Sequence, residues 1–221
     1  MAPLSPDLVI FDCDGVLVDS EALANANLAA VLSEFGFAIT AEAARARWVG
    51  RSLKTVEDDI RTETGAALSA HWLETLRERD EALFRARLTA VPHVRAAVEA
   101  IQGAGIATCI ASSGSFAKME VTLGVTGLKP LFEGRIFSSR QVARGKPHPD
   151  LFLFAAERMG VAAQRAVVIE DSSAGVAGAR AAGMAAYGYV GDPLTDRAAL
   201  EAAGAALFDD MRRLPALLGL G

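Results

Sequence analysis

The chain has 221 residues, 52% of them hydrophobic and 22% charged, which suits one large domain or a core with a smaller insert and excludes a disordered chain. A formal net charge of −5 with no Lys/Arg-rich run argues against nucleic acid as a partner, because binding a phosphate backbone needs a basic face. No apolar run nears the ~20 residues of a membrane helix, no basic segment precedes the first apolar run as in a secretory signal, and Cys13 and Cys109, the two cysteines, make neither a disulfide framework nor a zinc site, so the expectation is a reduced, cytoplasmic protein.

The run Leu8-Val9-Ile10-Phe11, closed by Asp12-Cys13-Asp14-Gly15, reads as a buried strand of a parallel sheet. The pattern then turns helical. Ser20 is a cap candidate for a helix to about Phe35, stopped by Gly36. Thr40, Ser52 and Ser69 are cap candidates for helices ending near Arg47, Thr64 and Arg87. Residues from about 19 to 88 therefore hold four helices and no convincing strand. In the last of them, Ala70 to Arg87, the apolar stripe Trp72, Leu73, Leu76, Leu83 and Phe84 is interrupted by Arg79 and Asp80. Those two either face a cavity or pair with Arg77, Arg87 and other local charges, and pairing is the favoured reading.

From Val91 onward strands and helices alternate. A helix to Gln102 is followed by a strand over Ile106 to Ala111, a helix over about Phe116 to Leu123, and a short strand over Arg135 to Ser138. A helix from Asp150 to Met159, a strand from Ala166 to Ile169 and a helix through Ala182 come next, then strands near Met184 to Tyr189 and Ala205 to Phe208. Alternation of this kind implies right-handed crossovers and an α/β fold, a doubly wound, mostly parallel sheet with helices on both faces. The predicted organisation is a catalytic core of residues 1–18 and 89–221 with a four-helix cap, residues 19–88, inserted after the first strand. A segment leaving the sheet just after Asp14 is expected to act as a lid that excludes water and selects substrates.

Ligands of an open parallel sheet bind outside the carboxyl ends of its strands. If the first strand and Ala166–Ile169 are neighbours, Asp12 and Asp14 meet Glu170 and Asp171 there. Carboxylates so crowded raise each other's pKa unless a cation neutralises them. A hard divalent ion, magnesium, accounts for them, with chemistry on an anion that shares it. One Asp at a strand end is ordinary turn or cap chemistry; two acidic clusters are not. The segment Ser112-Ser113-Gly114-Ser115 opens a helix and offers hydroxyls and amides to an anion, although such residues also serve as plain turns and caps. In Gly145-Lys146-Pro147-His148-Pro149-Asp150 two prolines constrain the backbone around Lys146 and aim its ammonium; His148 reads as a loop residue.

With FDCDGVLVDS, IASSGS, GKPHPD and VIEDSSAGVAGARAAGM in that order, the chain resembles the haloacid dehalogenase superfamily of phosphotransferases over nearly its whole length. The insertion point resembles the helical cap of the beta-phosphoglucomutase-like branch. The resemblance implies a Rossmann-like core in which Asp12 is the nucleophile and Asp14 the acid and base. It implies that Ser112 and Lys146 hold the phosphoryl oxygens, with amides of Cys13, Asp14 and Ser113 as further donors. Mg2+ would be held by the Asp12 and Asp171 carboxylates, the Asp14 carbonyl, and Glu170 directly or through water. An Asp at position 14 is similar to phosphatases and mutases, which must protonate an alkoxide, rather than to dehalogenases or phosphonatases. Beta-phosphoglucomutase-like enzymes carry a histidine early in the first cap helix; here Ala24 stands there, and His71, His93 and His148 lie elsewhere, which favours a hydrolase. The loop between cap helices, with Trp48, Gly50, Arg51 and Ser52, is implied to contact the leaving group, and the interrupted stripe adds Arg79 as a substrate-binding candidate.

The expected activity is Mg2+-dependent hydrolysis of a small phosphorylated metabolite by a monomer. Sugar and polyol phosphates are the leading class, and the cysteine-containing first motif and the trailing DSS also resemble the 6-phosphogluconate phosphatase-like group. The alternatives are a phosphosugar mutase, a phosphoglycolate phosphatase and, outside enzymes, a receiver-like signalling domain, which would be shorter and lack the helical insert.

Overall fold

The computed structural model describes residues 6–48, 51 and 53–220. Among these, six parallel strands form one sheet: β1 (Leu8–Phe11), β2 (Ala107–Ser112), β3 (Ile136–Ser138), β4 (Ala166–Glu170), β5 (Ala185–Tyr189) and β6 (Ala206–Phe208), in the order β3-β2-β1-β4-β5-β6. Each lies within a residue of the run the sequence predicts. The order runs outward from β1 in one direction to β3, then returns to β1's other side with β4. Where the order reverses, the loops leaving two adjacent strands diverge and open a crevice. In this sheet that place is between β1 and β4, paired through Phe11↔Ile169.

Every residue of β1 is fully buried, as a central strand covered on both faces must be. At about 1.5–3 kcal/mol for each large apolar side chain removed from water, this strand anchors the core. One face packs Leu8, Ile10, Cys109, Ala111 and Val168 against Leu151, Phe152 and Ala155 of α7 (Asp150–Arg158) and Val176 and Ala179 of α8 (Ser173–Ala181). Side chains alternate along a strand, so Thr108 points to the opposite face. There its hydroxyl accepts a 2.7 Å hydrogen bond from Gln102 of α5 (Val94–Gly103). Three further helices, α6 (Phe116–Val125), α9 (Arg197–Ala202) and α10 (Leu214–Leu217), complete this part. The last two are short, with too few turns to leave a periodic signature in the sequence.

The chain divides into two compact units, one of Met1–Asp19 with Thr89–Gly221 and one of Ser20–Leu88. The second holds α1 (Glu21–Glu34), α2 (Ala41–Trp48), α3 (Leu53–Thr64) and α4 (Trp72–Arg87). Its own core gathers Leu28, Val31, Leu32, Ala44, Trp48, Val56, Ile60, Trp72 and Leu76. Thr40 caps α2 by accepting from the Ala43 amide at 3.2 Å. Ser20 stands at the start of α1 without a capping side-chain bond. Ser69 is not the cap of α4 either: the helix begins at Trp72, whose amide reaches only the Ser69 carbonyl at 3.2 Å. Ser52 lies outside the described residues. Among the described residues no helix is long and apolar enough to cross a membrane.

Candidate active site

Four strand ends deliver the polar groups. Asp12 continues β1, with its amide donating to the Ile169 carbonyl of β4 at 2.9 Å. The chain then turns through Asp14, whose backbone bridges to Val18, and Gly15, whose φ of +72° suits a residue without a side chain. A Cβ at Gly15 would lie 1.9 Å from Asp171 Oδ2, so only glycine lets this loop pass against the Asp171 carboxylate.

At the end of β4, Glu170 is fully buried. Its Oε2 accepts from the Asp171 amide at 3.1 Å, the Ser172 amide at 3.0 Å and the Ser172 hydroxyl at 2.9 Å. Its Oε1 accepts from Lys146 Nζ at 2.6 Å. Ser172 caps α8 by accepting from the Gly175 amide at 3.1 Å. A Cβ on Gly175 would stand 1.8 Å from Glu170 Oε1, and one on Gly178 would stand 3.1 Å from the His148 carbonyl oxygen. The small-residue run of α8 thus serves close approach, to the acidic residue and to the lysine loop alike.

Lys146 Nζ also donates to Asp12 Oδ1 at 2.8 Å, and its side chain is only 3% exposed. The ring of Phe152 lies 5.3 Å away. Burial lowers the tendency of this ammonium to stay charged, but Asp12 and Glu170 outweigh it and hold the lysine protonated beyond its ordinary range. Burial pushes the Asp12 carboxyl up to about 7; Lys146 pulls against this, while Glu170 and Asp14 add to it. Asp12, Glu170 and Asp171 each offer an oxygen within 4.8 Å of the others.

At the end of β2, Ser112 is buried and its Oγ accepts from the Gly114 amide at 3.0 Å. Ser138 at the end of β3 donates to the Gly114 carbonyl at 2.6 Å and so braces the same loop. Ser113 is exposed, and its carbonyl accepts from Ser139 at 3.2 Å.

Asp12, Glu170, Asp171 and Lys146 are therefore brought together as the sequence predicts. The side chain of Asp14 pairs with Lys118 Nζ at 2.8 Å. Lys118 was not legible as a site residue, although one signal exists: a lysine in the first turn of a helix stands at the positive end of the helix dipole. In the helical unit, Trp48 is not a loop residue. It ends α2, 4% exposed, with its indole N–H donated to Asp59 at 2.8 Å. Arg79 makes a bidentate pair with Glu34 of α1 at 2.6 and 2.7 Å, and Asp80 accepts from Asn27 at 2.8 Å. The interruption in the α4 stripe is thus paired, as the favoured reading had it, with Glu34 and Asn27 of α1. Arg51 is exposed, and Gly50 lies outside the described residues.

The family model of the haloacid dehalogenase-like hydrolases matches residues 6–183. A 6-phosphogluconate phosphatase of Escherichia coli is 31% identical over 85% of this chain and 84% of its own length. A phosphorylated carbohydrates phosphatase of Thermotoga maritima is 30% identical over 91% of this chain and 93% of its own. A solved haloacid dehalogenase-like protein of unknown function from Agrobacterium tumefaciens superposes with a TM-score of 0.82 at 35% identity, covering 96% of this chain and 97% of that one.

Proposed function

The chain belongs to the haloacid dehalogenase-like hydrolase family and is a phosphatase, and from that premise we propose that it hydrolyses sugar or polyol phosphomonoesters with magnesium through a phosphorylated Asp12. The observation that carries the reading is the meeting of Asp12, Glu170 and Asp171 within 4.8 Å at the crevice between β1 and β4, with Lys146 2.8 Å from Asp12. The sugar preference rests on two relatives named for 6-phosphogluconate and for phosphorylated carbohydrates.

The donor set suits a hard cation: all three side chains are carboxylates, and oxygen ligands are what magnesium takes. A nucleophilic carboxylate must also be ionised, and Asp12 sits at about 7 among its neighbours; a divalent charge beside it restores the ionised form. Asp12, Asp171 and the Asp14 carbonyl would hold the ion. Glu170, with one oxygen given to three donors and the other to Lys146, would act from Oε1 or through a water. When bound, magnesium supplies charge neutralisation and polarises the phosphoryl oxygens.

The residues of the chain divide the remaining work. Asp12 attacks phosphorus as the bond to the leaving oxygen breaks. Asp14 gives that oxygen its proton, then takes one from the water that cleaves the phosphorylated aspartate. Ser112 and Lys146 hold the phosphoryl oxygens in place as charge redistributes among them. Arg51, one of several exposed cations of the helical unit, is the one that we assign to the leaving group.

The test is phosphate release from a panel of sugar, polyol and carboxylate phosphomonoesters, with magnesium, with EDTA, and with Asp12→Asn. Release that requires the metal, favours a sugar or polyol ester and is lost in the variant is the expected result. Absence of release, together with interconversion of a hexose 1-phosphate and its 6-phosphate, would contradict it and identify a mutase.

A further inference from the structure

Lys118, the partner of Asp14, belongs to neither the predicted site nor the cluster of three carboxylates. Lys118 Nζ lies 2.8 Å from Asp14 Oδ1, with the two side chains 31% and 16% exposed. The lysine is placed from two directions. Its own amide donates to the Ser115 hydroxyl that caps α6. Its stem runs beside Gly114, where a Cβ would stand 3.7 Å from Lys118 Cδ, 3.7 Å from Asp14 Oδ2 and 3.3 Å from Ser112 Oγ. A cation in the first turn of a helix opposes the helix dipole, so the dipole of α6 does not account for a lysine here.

The bridge to Val18 and the turn at Gly15 hold the Asp14 backbone, and the Lys118 ammonium takes Oδ1 of its carboxyl. With Oδ1 on Lys118, Oδ2 faces the Gly114 side, next to Ser112.

We infer that Lys118 is a positioning residue for phosphoryl transfer, holding the Asp14 carboxyl by Oδ1 so that Oδ2 exchanges the proton with the leaving oxygen. The inference rests on the acid role proposed above for Asp14. In the first step the Asp12–phosphorus bond forms, the bond to the leaving oxygen breaks and the proton passes from Oδ2 to that oxygen. In the second, water bonds to phosphorus, the Asp12–phosphorus bond breaks and the water's proton returns to Oδ2.

The experiment compares single-turnover rates on a sugar phosphate, whose alkoxide needs a proton to depart, with those on nitrophenyl phosphate, whose phenolate does not. Lys118→Met is expected to slow the sugar ester by on the order of 10²-fold, the cost of a small misplacement of a reacting group. Its loss on the nitrophenyl ester should be roughly tenfold or more smaller. Steady-state KM should stay near the parent value, and Lys118→Arg, which restores a cation, should recover most of the rate. Equal losses on both esters would reduce the lysine to a structural role. A raised KM with unchanged kcat would make it a substrate contact. Either result overturns the inference. Asp14→Asn separates the premise: if it shows no preference for slowing the sugar ester, the acid role itself falls, and the inference with it. If it shows that preference and Lys118→Met does not, the inference falls alone.

Discussion

Glu170 is held by four donors, two of them amides of its own turn and a third the hydroxyl that caps the next helix. The fourth, Lys146, is the one whose removal leaves a full charge buried without its counter-ion. Breaking a buried pair costs about 3–5 kcal/mol, because the surviving ion stays desolvated. Lys146→Met should therefore lower stability by that order in guanidinium unfolding, besides abolishing phosphate release; an unfolding curve matching the parent's would show that the pair is not buried in solution. At this scale the acidic residues were legible because their spacing is local: Asp12 and Asp14 are two apart, Glu170 and Asp171 adjacent, and each pair ends an apolar run. Lys118 was not, because its partner is distant in sequence and nothing around it repeats. At Gly15 and Gly175 a Cβ would stand 1.9 Å from Asp171 and 1.8 Å from Glu170, and the sequence does not name those two neighbours.

At the scale of elements, α4 shows how a broken hydrophobic stripe is to be read. Arg79 and Asp80 interrupt the apolar face where α1 offers Glu34 and Asn27, so the stripe becomes a polar seam between two helices. A bidentate guanidinium–carboxylate pair occupies both ends of its fork, leaving Arg79 committed within the helical unit. Arg79→Ala should leave KM for the best sugar phosphate unchanged, whereas Arg51→Ala should raise it by about tenfold, the worth of one charged hydrogen bond. Steady-state kinetics on the two variants decide it, and the reverse pattern would move the substrate contact to α4. Helix starts were less legible than helix existence. Ser172, Ser115 and Thr40 cap as expected of their type, but α4 begins three residues beyond Ser69, because a serine competes with several backbone solutions for the same turn.

For the molecule as a whole, the alternation of strands and helices was enough to predict a parallel sheet with an inserted helical block. It did not order the strands, since any of several arrangements satisfies right-handed crossovers. The order β3-β2-β1-β4-β5-β6 is what brings β1 and β4 side by side and turns two separate acidic clusters into one site. That Asp12, beside Lys146 and the Glu170–Asp171 turn, is a nucleophile rather than a bystander is the proposal on which the whole reading turns. Its most direct test is the stereochemical course at phosphorus, measured with an isotopically chiral thiophosphate ester hydrolysed in labelled water. Two in-line displacements, the first by Asp12 and the second by water, predict net retention of configuration. Net inversion would mean that water attacks the ester directly, with Asp12 no more than a ligand or a base.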